Sequence, residues 1–374
     1  MNNSKLSINI LPEHLPSGIR IYPSRQTRLK MPLAKLQIKG FWVYNWAGLN
    51  CMKLVSIIIV TRNREKEVLA CLKSILKMDY PNFEIILVDN ASGDNTVSEV
   101  KKQSASWRTK VKIVKSEKNL GACGGKNLGQ KQAKGEYLFF LDSDTIVDKK
   151  LLSELVKIAE SEAKIGMVCP KMYYFESKRE SSSAYFDKKN IIWYAGASIN
   201  LLTSQAKNIG NHEEDKGQFD QVRETSFAPT AYLVKRIVAE KLKGHGEIFF
   251  MGYVDSDYGY RTHEAGFKVI FCPQARLWHR IGQEENVKSI RALGYNLPLR
   301  AYYFARNRVV FMKHHAPRIN FLIFMILFFP LMTTYIAYKI IVLGGGWRFL
   351  KPHLEGSLDG LKYALGGKIE NRWA

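Results

Sequence analysis

The sequence predicts an α/β protein built on a parallel sheet, with apolar helices near its C-terminal end. Three observations carry this. Residues 55–60 are a short β-branched run, residues 65–77 carry apolar side chains at helical spacing (Val68, Leu69, Leu72, Ile75, Leu76), and residues 83–88 are a second apolar run. Strand, helix, strand in that order closes as a parallel pair. A third run, residues 136–141, ends in Asp142 and Asp144, two carboxylates one residue apart. Residues 319–338 form a stretch of twenty without a charge, long enough to cross a bilayer.

The chain of 374 residues has room for more than one domain and for a pocketed core. Its net charge of +22 points to a partner rich in negative charge, whether nucleic acid, an anionic membrane face or a phosphorylated substrate, and does not choose among them. The 5 cysteines are odd in number, widely spaced and never in a Cys-x-x-Cys pair, so they support neither a disulfide framework nor a zinc site and fit a reducing, cytosolic compartment. Residues 1–51 are basic and proline-dotted, with at most one short interfacial element around residues 41–46, and lack the pattern of a secretory signal. Met52 directly precedes the first convincing strand and stands as an alternative start to Met1.

The second strand runs into Asp89 and the polar turn of residues 90–96. Ligands of open parallel sheets sit at the carboxyl ends of the strands, which places Asp89 where a nucleotide is read; capping of the next helix by Ser92, Asp94 or Asn95 is the competing use of this turn. Residues 119–129 then bring several close glycines ahead of a helical segment reaching Lys134, a composition that lets backbone approach a ligand. The segment matches neither the dinucleotide fingerprint nor a phosphate loop. After it, Asp142 and Asp144 leave the strand end on one side, where they can share a hard cation; alone, the pair also suits a simple polar turn.

A second block, residues 249–269, places Asp255 and Asp257 at a helix start, with Arg261 one turn on and the helix ending at Gly266. A carboxylate there also serves as an N-cap. Residues 269–272 read as an edge strand, followed by Trp278 and His279.

These parts together resemble family 2 glycosyltransferases, from about Val55 to Gly282. The resemblance rests on the first strand with Thr61, Arg62 and Asn63, the turn from Val88 to Asp94, the loop from Asn119 to Gly129, and Leu141-Asp142-Ser-Asp144. It implies the GT-A fold, a Rossmann-like, mostly parallel mixed sheet flanked by helices. It implies that Thr61, Arg62, Asn63, Asp89, Asn119, Gly121, Asn127 and Asp142 contact the nucleotide-sugar donor. Asp255 aligns with the family's general base, although Val254 replaces the Glu that usually precedes it, and Asp257 and Arg261 align with bracing positions. In galactofuranosyltransferase-like and rhamnosyltransferase-like members a Trp-His pair after this strand supplies a further ligand, so Trp278 and His279 complete a site in which Asp142, Asp144 and His279 hold Mn²⁺ or Mg²⁺. Residues 166–171, 193–197 and 225–234 resemble the sugar-side and acceptor-side elements of such enzymes. No Gln-x-x-Arg-Trp follows Asp255, unlike the processive synthases.

The expected activity is an inverting transfer from a UDP- or dTDP-sugar to a hydroxyl of a lipid-linked saccharide or other glycan. The expected division is an extension over 1–51, a catalytic domain over 52–285, a helical connector over 286–318, a transmembrane or re-entrant helix over 319–343 with Pro330 near its middle, and an amphipathic tail over 344–374. Basic residues flank the apolar run on both sides, so they do not fix its topology; they suit an anionic cytoplasmic leaflet, with the catalytic domain on the cytoplasmic side. No nucleic acid partner is expected. The rival readings are a basic nucleic-acid-binding protein and an inactive regulatory membrane protein with a nucleotide-binding fold.

Overall fold

The computed structural model describes residues 52–107, 109–177, 186–280 and 297–372, residues 293 and 295, and three short strands nearer the N-terminus. The chain divides into two compact units, Met1–Lys53 and Leu54–Ala374. In the first, Ile21–Tyr22, Lys35–Ile38 and Phe41–Tyr44 pair antiparallel in that order, a small sheet where the sequence suggested one short element. The rest of 1–51 and most of 281–296, with the beginning of the expected connector, lie outside the described residues.

In the second unit the unbroken β-branched runs become central strands covered on both faces. β1 (Val55–Thr61) pairs in parallel with β2 (Phe83–Asn90), which pairs in parallel with β3 (Val111–Ser116). On its other side β1 pairs in parallel with β4 (Tyr137–Asp142). The crossovers are α1 (Glu65–Ile75), α2 (Thr96–Ser104) and α3 (Gly121–Gln130). The register sets Thr61 opposite Asp89 and Val60 opposite Asp142, so three adjacent strands end at one carboxyl edge.

β4 is followed by the short β5 (Thr145–Val147), α4 (Leu151–Ser161), and the long hairpin of β6 (Ile165–Ser177) and β7 (Phe186–Tyr194). A two-stranded ribbon, β8 (Ala197–Ile199) with β9 (Ala206–Asn208), precedes β10 (Arg223–Glu224), β11 (Ala231–Lys235) and α5 (Arg236–Lys241). Then come α6 (Val254–Glu264) and β12 (Lys268–His279). The sheet order is β10-β12-β6-β11-β4-β1-β2-β3, with β7 on β6 and β5 on β12; β11 runs antiparallel to both its neighbours.

Three expectations change here. The glycines of residues 124–129 lie inside α3 rather than in a ligand-cradling loop, and they let that helix sit on the sheet: a Cβ on Gly125 would meet Val60 at 2.6 Å. The expected edge strand is the interior β12, which carries Trp278 and His279 within it. The sequence signal stopped at Pro273, but a register shift between Cys272 and Arg276 absorbs the proline and the strand resumes.

The remaining helices are α7 (Pro298–His315), α8 (Arg318–Val342) and α9 (Gly346–Ala364). α7 is a core element of the unit rather than a connector, with Tyr302, Tyr303, Arg306 and Asn307 fully buried. Instead of folding into a re-entrant hairpin, α8 continues through Pro330, with one π-helical stretch, Phe324–Phe328, just upstream. Widening the helix there relieves the clash between a proline ring and the carbonyl one turn earlier. Four cysteines, Cys71, Cys123, Cys169 and Cys272, are buried and free.

Candidate active site

The carboxyl edge of the sheet gathers two groups of side chains. The first is Asp142, Asp144 and His279, whose ligand atoms lie within 4.8 Å of one another. Asp142 closes β4 and Asp144 stands in the turn to β5. His279 reaches them across 135 residues because β12 pairs with β5, setting His279 opposite Thr145. Arg280 N–H donates to the Asp144 carbonyl at 3.0 Å and locks that register. His279 Nε2 meets Asp144 Oδ1 at 3.2 Å, and the Arg64 guanidinium pairs with Asp144 Oδ2.

Burial pushes the Asp142 carboxyl up to about 6, with Lys126 pulling down and Asp144 pushing further up. Burial acts the same way on Asp144, but His279 and Arg64 outweigh it and hold that carboxyl well below the usual range. Burial lowers the His279 imidazole and the Asp144 charge more than reverses this, so His279 is raised. Two carboxylates crowded with one imidazole are a donor set suited to a hard divalent cation, and the mutual repulsion of the aspartates is what such a charge relieves. Trp193 lies against the His279 ring at 4.8 Å between centroids, and Trp278 stacks on Tyr173 at 5.7 Å.

The second group surrounds Asp255. Tyr253, with φ 61, takes the N-cap position of α6 and makes no side-chain cap, so Asp255 is a first-turn residue rather than the cap. Its Oδ1 accepts from Lys126 Nζ at 2.6 Å and from Tyr232 OH at 2.9 Å, whereas among the described residues its Oδ2 accepts only from Thr230 N–H, at 3.4 Å. Thr230 also links the two groups, since its carbonyl accepts from Asp142 N–H. Tyr232 OH meets His245 Nε2 at 2.7 Å. Burial lowers the Lys126 ammonium, but Asp255 and Asp142 outweigh it, so this buried lysine is a firm cation.

The expected donor-side residues separate by their partners. Thr61 is buried and its hydroxyl has no hydrogen-bond partner among the described residues, while Asp89, also buried, accepts from Ser92 N–H at 3.3 Å. Arg62 is exposed, and Asn63, at φ 52, holds the turn by accepting from Gly93 N–H. Asn119 and Gly121 are clamped by Asn90, whose Nδ2 donates to Asn119 Oδ1 and to the Gly121 carbonyl at 3.1 Å each. Asn127 braces residues 245–247, donating to the His245 carbonyl and Glu247 and accepting from His245 N–H. Asp257 and Arg261 brace α6 by an ion pair at 2.8 Å, and Arg261 also donates to the Leu242 and Gly244 carbonyls.

Residues 56–215 match the family model for glycosyl transferase family 2. This stretch of the chain is a glycosyl transferase family 2 domain. The glycosyltransferase GlyG of Streptococcus pneumoniae is 35% identical over 114 residues, 30% of this chain and 38% of GlyG. WfgD of Escherichia coli, a UDP-Glc:α-D-GlcNAc-diphosphoundecaprenol β-1,3-glucosyltransferase, is 40% identical over 93 residues, 25% of this chain and 36% of WfgD. The chain thus spans less than two-fifths of the length of these relatives. In fold it is similar to the mannosyltransferase PcManGT of Pyrobaculum calidifontis, solved with GDP-Man and Mn²⁺, at a TM-score of 0.53 and 15% identity, covering 84% of this chain and 88% of that one. The expected GT-A fold is the fold observed. Sequence reasoning missed Lys126, Tyr232, His245 and Arg64. The one available signal was Lys126, a lone cation within a glycine-rich segment.

Proposed function

We propose that the chain is a metal-dependent, inverting glycosyltransferase that moves a sugar from a nucleotide-diphosphate sugar to a hydroxyl of a lipid-linked saccharide or other glycan. The observation that supports it most is the meeting of Asp142, Asp144 and His279 with Asp255 at one sheet edge, bridged by Thr230. Asp142, Asp144 and His279 would hold Mn²⁺ or Mg²⁺. Such a cation acts as a Lewis acid toward the charge that develops on a departing diphosphate.

The chain's own groups supply the rest. Asp255 Oδ1 is engaged by Lys126 and Tyr232, which leaves Oδ2 as the oxygen that accepts the proton of the attacking hydroxyl. A carboxylate positioned this way contributes roughly 10²–10⁴-fold as general base. Attack from the face opposite the leaving group in a single displacement inverts the anomeric centre. The unpartnered Thr61 hydroxyl and the neighbouring Asp89 carboxylate line the strand ends where the nucleoside is read. The long apolar α8 and the positive charge of the chain support attachment to the cytoplasmic face of the cell membrane.

The test is calorimetric titration of the full chain with UDP, dTDP, GDP and CDP, with and without Mn²⁺, alongside Asp144→Asn. The expected result is metal-dependent binding of one nucleotide, lost in the variant. Absence of metal-dependent binding to all four would sink the proposal.

A further inference from the structure

α8 has the length and hydropathy of a membrane span, 25 residues of which few are buried. Its packing argues against spanning. Phe324 is fully buried in the same core cluster as Val309, Phe311 and Met312 of α7. Ile336 and Ile340, further along α8, are buried against Ala301 at the other end of α7 and against Tyr295. The helix is therefore docked lengthwise and antiparallel on α7, over about 24 Å between Phe324 and Ile340 at 1.5 Å per residue. That is most of the roughly 30 Å hydrocarbon thickness.

α7 is not free to follow a helix into lipid. Its fully buried Arg306 donates to the Glu370 carbonyl and Asn371, and Asn307 Nδ2 donates to the Phe249 and Met251 carbonyls of the segment that leads into α6. If α8 spanned the bilayer, α7 and that irregular segment would stand beside it at hydrocarbon depth, where exposed loop backbone and charged side chains are not sustained.

We infer that α8 instead lies in the plane of one anionic leaflet, its docked face toward the protein and its opposite face in the lipid. This rests on the membrane attachment proposed above and specifies its geometry. The outward face is apolar and open: Ile319, Leu322, Ile326, Leu331 and Tyr338 are between 54% and 70% exposed. α9, which packs beside α8 through Phe349 and Leu350, adds a second stripe at helical spacing, Trp347, Leu354, Leu358, Leu361 and Leu365. Charge identifies the occupant. From Arg318 to Leu365 the basic residues are Arg318, Lys339, Arg348, Lys351 and Lys362, against Glu355 and a buried Asp359. A two-helix apolar floor edged with cations fits an interface of acyl chains and anionic headgroups.

The test uses the full chain with a C-terminal peptide tag. Flotation is measured on phosphatidylglycerol–phosphatidylcholine vesicles for the wild type and for Ile326→Lys/Leu331→Lys, two exposed positions whose exchange leaves the thermal unfolding curve in place. Protease access to the tag and to the catalytic unit is measured in sealed inverted membrane vesicles and in spheroplasts. The expected results are a loss of vesicle binding of at least about tenfold in the variant, and a tag on the same membrane face as the catalytic unit. A tag on the opposite face would establish a span and overturn the in-plane geometry while leaving membrane attachment intact. A wild type that floats with no vesicle would remove the attachment itself. A wild-type dimer made monomeric by the variant would assign the face to a second copy and overturn the inference.

Discussion

Replacing Lys126 with Met removes the one positive charge that, among the described residues, is in hydrogen-bond contact with the Asp255 carboxylate, a pair 2.6 Å apart. Lys126 is 4% exposed and Asp255 20%, so water compensates the orphaned charge poorly. Breaking one side of a buried pair costs about 3–5 kcal/mol. Asp255 keeps Tyr232 OH at 2.9 Å and a narrow solvent path, which sets the expectation at the lower end, about 3 kcal/mol. The same logic predicts strong coupling. In Lys126→Met/Asp255→Asn the uncompensated charge is gone, so the double variant should be less destabilised than the sum of the singles by about 1–3 kcal/mol. Urea unfolding of the four proteins, followed by circular dichroism without nucleotide, measures both quantities. Additivity within about 0.5 kcal/mol would refute the claim that these side chains form one electrostatic unit.

Asp255→Asn should retain metal-dependent nucleotide binding while transfer falls by at least about 10²-fold, whereas Asp144→Asn should lose the binding itself; turnover and calorimetry on the same preparations separate the two roles. Gly125→Ala should destabilise the fold by about 1–3 kcal/mol by lifting α3 off Val60, read as a lowered urea midpoint at unchanged slope. His315 sits between Asp257 at 3.0 Å and Glu264 at 2.7 Å; burial lowers its imidazole, but the two carboxylates raise it overall. Because the folded value is raised, its stabilising contribution is fully present below the unfolded value of about 6.5 and is lost as pH rises through the folded one. Thermal unfolding of the wild type and His315→Gln should therefore differ most in mild acid and converge in alkali, and a gap that widens with pH would contradict the pairing.

Much of this site was legible because its strands are buried on both faces. β1, β2 and β4 read as apolar runs, and a carboxylate at the end of such a run has few places to point except the sheet edge. Asp89, Asp142 and Asp144 were visible for that reason, and Asp255 as a carboxylate at a helix start. Lys126 was not, because a lysine amid glycines reads as solvated loop, and only the tertiary fold brings it within reach of Asp255, 129 residues away. Tyr232 and His245 escaped similarly: each looks like ordinary core until their hydroxyl and imidazole are seen to meet. The glycines misled in the other direction, since the absence of a Cβ serves a strand packed beneath α3 as readily as a ligand above it. β12 was read only over residues 269–272 because its apolar run ends there, and the strand resumes past Pro273 through a local register shift.

The clamp of Asn307 on the Phe249, Met251 and Gly252 carbonyls ties the approach to α6, where Phe250 and Tyr253 hold positive φ, to α7. α7 in turn is held by α9, whose Gly356 and Gly360 nest against Tyr302 and Val309 and whose Asp359 accepts from Tyr302 OH at 2.6 Å. A chain shortened before α8 to make it easier to handle would thus forfeit the buttress of its own base. Its turnover would report a loosened carboxylate rather than the native one, and solubility gained at that end would be bought with chemistry lost at the other.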